Sequence, residues 1–180
     1  EESYSIAILL RELMDASHQN FKVQIYSTDL DEDAIAIARA GFYPPNITQD
    51  VTEERLRRFF TKEDSGYRIR KEIREMVVFA IQNVIKDPPF TKLDLLSCRN
   101  LMIYLEPELQ NRLIPVFNFA LRPGGVLFLS PSESIGNHTE LFSSLNRKCK
   151  FYRARHDATM AKGIISSPPV IWSAASGGKT

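Results

Sequence analysis

Two short stretches constrain what this chain can fold into more than anything else in it: Leu93–Tyr104, LDLLSCRNLMIY, and Leu121–Ser130, LRPGGVLFLS. Leu93 to Ser97 is an apolar run of strand length. It ends abruptly in Cys98-Arg99-Asn100, three polar or reactive residues at the carboxyl end of a buried strand. In open α/β sheets that edge is where ligands bind. A helix then carries the chain back to Arg122-Pro123-Gly124-Gly125, a stop-and-turn signal, and a second buried strand runs from Val126 to Ser130. Strand, helix and strand in this order predict half of a nucleotide-type α/β domain with its ligand edge already marked.

A chain of 180 residues has room for one domain with a good core. Its 43% hydrophobic and 25% charged residues are ordinary for a soluble globular protein. A formal net charge of +1 leaves no electrostatic footprint for a nucleic-acid partner. No run approaches the roughly 18 apolar residues of a membrane span, and no signal peptide is visible, so no membrane insertion is expected. Cys98 and Cys149 lie far apart without metal-type spacing, which favours free thiols in a reducing, cytoplasmic compartment. The chain opens on Glu1-Glu2 without an initiator Met and enters a helix at once, which reads as a fragment of a longer protein.

Ile6, Leu9, Leu10, Leu13 and Met14 recur at helical spacing and predict an amphipathic helix from about Ser3 to Ala16. Phe21–Thr28 alternates and is rich in aromatic and β-branched residues, so it reads as a strand closed by Asp29. Asp31-Glu32-Asp33 supplies acidic capping for a helix from Ala34 to Ala40, which Gly41 terminates. Tyr43-Pro44-Pro45-Asn46 reads as a loop and Thr52–Phe60 as a short helix. Thr61 to Met76 is charged, with a turn at Glu63–Gly66, and reads as a small hairpin excursion outside the main sheet. Val77–Ile81 is a strand, and Asp87-Pro88-Pro89-Phe90 an extended connector. The helix starting near Pro107 has a stripe of Leu109, Leu113, Val116, Phe117 and Ala120, and Pro115 inside it should kink or shorten it. Glu140–Leu145 reads as a short helix and Lys150–Arg155 as a last strand. Beyond His156 the composition turns to Ser, Ala, Gly and Pro without periodicity, which reads as a linker or tail. This alternation makes an α/β domain with a largely parallel sheet that begins with a helix lacking its preceding strand.

Several residues invite chemistry, each with a plainer reading beside it. Asp29, at a strand's carboxyl end, can accept hydrogen bonds from both hydroxyls of a ribose, or can cap the next helix. Asn83, just past Val77–Ile81, can read an adenine edge or an amino-acid moiety, or is a turn residue. Tyr104 is most simply a core aromatic with its hydroxyl at the surface. Cys98 has no histidine near it in sequence and makes a poor nucleophile. Scattered histidines without HxxxH or CxxC spacing give no metal site. Gly177-Gly178-Lys179-Thr180 has Ser173 where a phosphate loop needs Gly, and lacks the flanking strand and helix. Arg55, Arg57, Arg58, Lys62, Arg68, Arg70, Lys71 and Arg74 make the middle region basic, with acids interleaved. That is a solvated face, or alternatively a docking surface for an acidic protein segment.

Taken together, the strand-end residues resemble the catalytic domain of CheR-type chemoreceptor glutamate methyltransferases. The matching pieces are Glu1–Ser5, Ser27-Thr28-Asp29-Leu30-Asp31, Ala40-Gly41-Phe42-Tyr43, Gln82-Asn83-Val84, CRNLMIY at Cys98–Tyr104, LRPGG, and Ser132-Glu133-Ser134. They stand in the family's order and cover about Glu1 to Arg155. The wording of CRNLMIYLEPELQ and SPSESIG is closest to versions fused to a methylesterase and sensor modules. The resemblance implies a Rossmann-like class I methyltransferase fold over residues 1–155, with a mostly parallel sheet lacking its first strand. It also implies a small β-subdomain at 61–78, which in some members docks a receptor tail, and an interdomain linker at 156–180. The implied cofactor is S-adenosylmethionine, with S-adenosylhomocysteine as product. The implied partners are cytoplasmic domains of chemoreceptors, methylated on glutamate. Residue by residue, the family's motif puts Glu2 at the cofactor's amino group, Asp29 at its ribose, and Asn83 with Val84 at its adenine. It puts Cys98 and Arg99 along the cofactor, and Asn100 and Tyr104 toward the substrate, with Tyr104 facing the methyl group. Ser3 replaces the family's Pro. The family's glycine loop and its N-terminal helical domain, which supplies a catalytic arginine, precede the first residue here, so weak cofactor binding and loss of activity are expected of such a fragment. A sheet lacking a strand exposes an edge open to dimerisation or strand exchange. Two rival readings remain: a non-catalytic docking domain of a signalling protein, and a class I methyltransferase with another substrate.

Overall fold

Capping residues and strand partners fix where each element begins and stops. The computed structural model describes residues 1–155, and the chain divides into two compact units, Glu1–Asn83 and the stretch from Val84 onward. The linker read at 156–180 and the Gly177–Thr180 pattern lie outside the described residues.

In the first unit, helix α1 (Glu2–Ser17) buries Tyr4, Ala7, Ile8 and Met14, and His18 closes it in a left-handed conformation. Strand β1 (Ile25–Asp29) is shorter than the alternation from Phe21 predicts. Its register with a parallel partner begins only at the pair Ile25 and Val77, so the residues before Ile25 have no ladder to join. Helix α2 (Glu32–Ala40) starts on Asp31, whose Oδ1 accepts from the amides of Asp33 and Ala34, and ends on Gly41 at φ 60°. Both the acidic cap and the glycine stop are as the sequence requires.

Tyr43, read as the start of a loop, instead ends strand β2 (Phe42–Tyr43), and a 3-10 turn follows over Pro45–Gln49. Tyr43 pairs with Tyr67, and its ring meets Phe60 edge-on at 6.0 Å. Tertiary pairing overrides the prolines' loop signal there. Helix α3 (Glu53–Phe59) is capped by Thr52. Strands β3 (Phe60–Glu63) and β4 (Gly66–Ile69) form the expected hairpin, and β2 adds to β4, giving an antiparallel sheet ordered β2-β4-β3. Helix α4 (Lys71–Arg74) leads into β5 (Val77–Ile81), which runs parallel to β1. Phe59, Phe60, Ile69, Ile73 and Val77 pack with Tyr4, Ala7 and Ile8 as the core of this unit.

Gly66 is required by space. A Cβ there would lie 2.2 Å from the Tyr43 carbonyl oxygen, so β2 and β4 would have to separate. Gly66→Ala is expected to lower stability by roughly 1–3 kcal/mol, in the range of overpacked cores, read as a lower urea midpoint.

In the second unit, β6 (Leu93–Cys98) leads through a 3-10 turn at Met102–Tyr104 into helix α5 (Pro107–Ala120). Pro115 lies inside α5, which nevertheless continues as one helix to Ala120. Leu113, Ile114, Val116 and Phe117 are all buried around that proline, and their burial offsets the lost backbone hydrogen bond. Strand β7 (Leu121–Leu129) runs parallel to β6. Arg122-Pro123-Gly124-Gly125 is therefore not a turn before the strand but an irregularity within it. Leu93 pairs with Leu121, the register then shifts, and Leu95 pairs with Val126. Gly124 at φ 78° and the close approach of Gly125 to the Leu93 carbonyl allow this.

The stretch read as a helix at Glu140–Leu145 is strand β8 (Phe142–Asn146), paired antiparallel with β9 (Phe151–Ala154). Short apolar runs do not distinguish helix from strand by period, and the ladder from β9 with the burial of Phe142 at 1% exposure decides it. The sheet order is β6-β7-β9-β8, and its core holds Met102, Leu113, Phe117, Leu127, Leu129 and Phe142. Each unit thus contains a parallel strand–crossover–strand arrangement of the Rossmann-like kind, β1 to β5 and β6–α5–β7.

Candidate functional site

Parallel strands place their carboxyl ends, and whatever residues follow them, on one edge. In the first unit β1 ends on Asp29. Its backbone carbonyl accepts from the Gln82 amide at 3.0 Å, which brings Gln82 and Asn83, just past β5, beside it. Ser3 Oγ donates to Ser27 Oγ at 2.7 Å, tying the first turn of α1 to β1 two residues before Asp29. Asp29 and Asn83 thus stand at the carboxyl end of the β1–β5 pair, and the first turn of α1, which holds Glu2, is tied to β1 at Ser27. The two readings of Asp29 separate in the structure. Asp31 caps α2, whereas Asp29 is exposed and its Oδ1 accepts only the Asp31 amide at 3.0 Å. Oδ2 has no protein partner among the described residues and remains available to a diol.

In the second unit Val84 is half-buried against the core. Strand β6 ends on Cys98, buried at 8% exposure, while Cys149 is exposed, and neither is in a disulfide. The Arg99 guanidinium lies 4.9 Å from the centre of the Phe128 ring, which stacks at 4.3 Å on Phe151. This cation–π contact holds the arginine at the strand end. Asn100 takes a left-handed conformation at φ 56°, which asparagine tolerates better than most residues. The 3-10 turn then sends Met102 into the core at 1% exposure and turns Tyr104 out to 80%. Tyr104 is therefore not a core aromatic. Its phenol stands in solvent at the edge where Cys98, Arg99 and Asn100 lie.

The residue that sequence reasoning left without a role is Glu133. Its carboxylate is 4% exposed and accepts from the amides of Asn100 (3.2 Å), Leu101 (3.0 Å), Met102 (2.9 Å) and Ser130 (3.0 Å), and from the Ser130 hydroxyl at 2.7 Å. Burial pushes this carboxyl up. The Ser130 amide and hydroxyl, with the amides of Met102 and Asn100, outweigh burial and hold it below the usual carboxylate range. The available signal was an acid three residues past the end of a buried strand, beside serines, in a stretch with no other charge.

Among the described residues no group of His, Cys, Asp and Glu is placed to hold a metal ion, and no helix is long and apolar enough to cross a membrane. The basic stretch is largely engaged within its own unit. Arg55 forms a two-pronged pair with Glu12, Arg58 pairs with Asp15, and Arg68 with Glu63. The donor set suits a polar organic cofactor. The first unit offers an exposed carboxylate, Asp29, at a strand end with Asn83 just past the neighbouring strand, and the second unit offers, at the β6 end, a phenol, a guanidinium and a turn whose amides already have an acceptor.

The family model described as CheR methyltransferase, SAM binding domain, matches residues 1–151. An uncharacterized 104.1 kDa protein of Rhodobacter capsulatus is 38% identical over 154 residues, covering 86% of this chain and 16% of that protein. The chemotaxis protein methyltransferase of Borreliella burgdorferi is 32% identical over 144 residues, covering 78% of this chain and 51% of its own length. That of Escherichia coli K12 is 31% identical over 157 residues, covering 82% and 51%. The chain thus spans about half the length of the two methyltransferases.

Proposed function

Because the chain belongs to the CheR methyltransferase family, in its S-adenosylmethionine-binding domain, we propose that it serves methyl transfer from S-adenosylmethionine to glutamate side chains of chemoreceptors. The products are glutamate methyl esters in the cytoplasmic domains of those receptors, made during sensory adaptation, and the protein acts in the cytoplasm. The observation that carries this reading is Asp29, an exposed carboxylate at the end of a parallel strand with Oδ2 open and helix capping left to Asp31.

S-adenosylmethionine supplies an electrophilic methyl group on a sulfonium. An ionised glutamate is already a nucleophile, so the chain needs no general base, in keeping with the lack of a histidine at either strand end. Its own residues must align the reactants and hold the carboxylate as it sheds water. Asp29 accepts the ribose hydroxyls, Asn83 and Val84 border the adenine, and Glu2 accepts from the cofactor's amino group. Cys98 and Arg99 line the cofactor. Tyr104, with its phenol in solvent, donates to the incoming carboxylate, and Asn100 stands beside it on the substrate side.

Full-length protein incubated with methyl-labelled S-adenosylmethionine and a purified chemoreceptor cytoplasmic domain is expected to label the receptor, and mild base is expected to release the label as methanol. Label that survives base removes the glutamate assignment and favours a class I methyltransferase with another substrate. Absence of both labelling and S-adenosylhomocysteine binding favours a docking domain. The internal pairing of Arg55, Arg58 and Arg68 weighs against that last reading.

A further inference from the structure

The Glu133 carboxylate sits where an anion-binding turn would take a ligand. Asn100 at φ 56° and Leu101 at φ −106°, ψ −49° form a left-handed then right-handed pair of residues. Such pairs turn successive amides toward one point and make a concavity for an anion. Here the anion is part of the protein. The amides of Asn100, Leu101 and Met102 converge on Glu133, and the same carboxylate accepts from Ser130, fully buried at the end of β7. The Glu133 amide in turn donates to the Ser130 carbonyl at 3.0 Å, so the carboxylate belongs to a tight turn fixed to the sheet. Among the described residues no lysine or arginine forms an ion pair with it, and its hydrogen-bond donors are backbone amides and a hydroxyl. An apolar side chain could fill the space without the desolvation penalty, but it would leave all these donors without an acceptor.

We propose that Glu133 is the positioning residue of the ligand edge: it clamps the turn after β6 to the end of β7, and so sets how Arg99, Asn100 and Tyr104 meet the cofactor and substrate. This rests on the S-adenosylmethionine reading above. With three consecutive amides committed to Glu133, that turn can offer a ligand only carbonyl oxygens and side chains. Its backbone is thereby an acceptor surface, and the donors at this edge come from the side chains of Arg99, Asn100 and Tyr104.

The test is Glu133→Gln in the full-length protein, read by amide hydrogen exchange and by S-adenosylhomocysteine calorimetry. Glutamine keeps the shape but turns a donor toward amides that are themselves donors. Exchange over residues 100–102 is expected to speed up by about tenfold or more, while the β7 and β9 amides of Leu127 and Tyr152 stay as in the wild type. The dissociation constant is expected to rise about tenfold, the equivalent of one or two good hydrogen bonds. A purely structural defect would lower the bound fraction and leave the affinity of the folded remainder unchanged, which overturns the positioning role. Unchanged exchange at residues 100–102 overturns the clamp itself. Loosened amides with unaltered affinity overturn its role at the ligand edge alone. A wild-type protein that does not bind S-adenosylhomocysteine overturns the cofactor reading, and the clamp's role with it, whatever the exchange result. Ser130→Ala, which removes only the hydroxyl donor, provides a milder variant if the glutamine form folds poorly. It is expected to move the same amides and the affinity in the same direction by about two- to fivefold, and no movement in either overturns the proposal.

Discussion

Asp29→Ala is expected to weaken S-adenosylhomocysteine binding by about 100-fold while leaving the fold in place. Hydrogen bonds to a charged acceptor contribute about 1.5–3 kcal/mol each, and a ribose offers two hydroxyls to one carboxylate. Losing both removes at least the roughly 2.7 kcal/mol that corresponds to a factor of 100. The stability change should be small, because Asp29 is exposed and gives up only the bond from the Asp31 amide, about 0.5–1.5 kcal/mol. Helix α2 keeps its cap, since Asp31 supplies it. Asp29→Asn keeps one carbonyl acceptor and loses the charge, so it should fall between, near tenfold. Calorimetry on the full-length protein gives the affinities, and urea unfolding gives the stability. An unchanged affinity in Asp29→Ala with the fold intact would show that the ribose is recognised elsewhere and return Asp29 to a turn-forming role.

What could be read in the sequence was local, and what escaped it was pairing. The cap at Asp31, the stop at Gly41, strand Val77–Ile81 and the end of β6 at Cys98 all rest on residue type and short-range period, and the structure keeps them. The start of β1 depends on where Val77 stands to pair with it. The fate of Glu140–Leu145 depends on β9. The RPGG stretch depends on Leu93 reaching across to Leu121. None of those partners is a sequence neighbour. At the candidate site the same division holds. Asp29 was visible as an acid closing an alternating strand, and the Cys98–Asn100 edge as polar residues ending an apolar run. The exposure of Tyr104 was not, because it follows from a 3-10 turn that gives Met102 the core position. Glu133 was hidden for a related reason: its acceptor role depends on a left-handed Asn100 in a segment about thirty residues earlier.

Replacing that carboxylate should also change how the protein responds to acid. At neutral pH Glu133→Gln is expected to lower unfolding stability by about 3 kcal/mol, since at least two buried donors lose their acceptor at roughly 1–3 kcal/mol each. The folded protein holds the Glu133 carboxyl below the ordinary carboxylate range, because its amide and hydroxyl donors outweigh burial. A carboxyl depressed in the folded state contributes its full stabilisation above the unfolded value, near pH 4.3, and loses it as pH falls through the lower folded value. Once protonated, the wild-type side chain carries a donor in the same crowded turn and resembles the glutamine. The gap between wild type and Glu133→Gln should therefore be constant from neutrality down to about pH 5 and narrow steadily below the unfolded value. Urea midpoints for both proteins at a series of pH values measure it. A gap that stays level into strong acid would mean that Glu133 does not titrate there, and would move the clamp's strength from its charge to its shape.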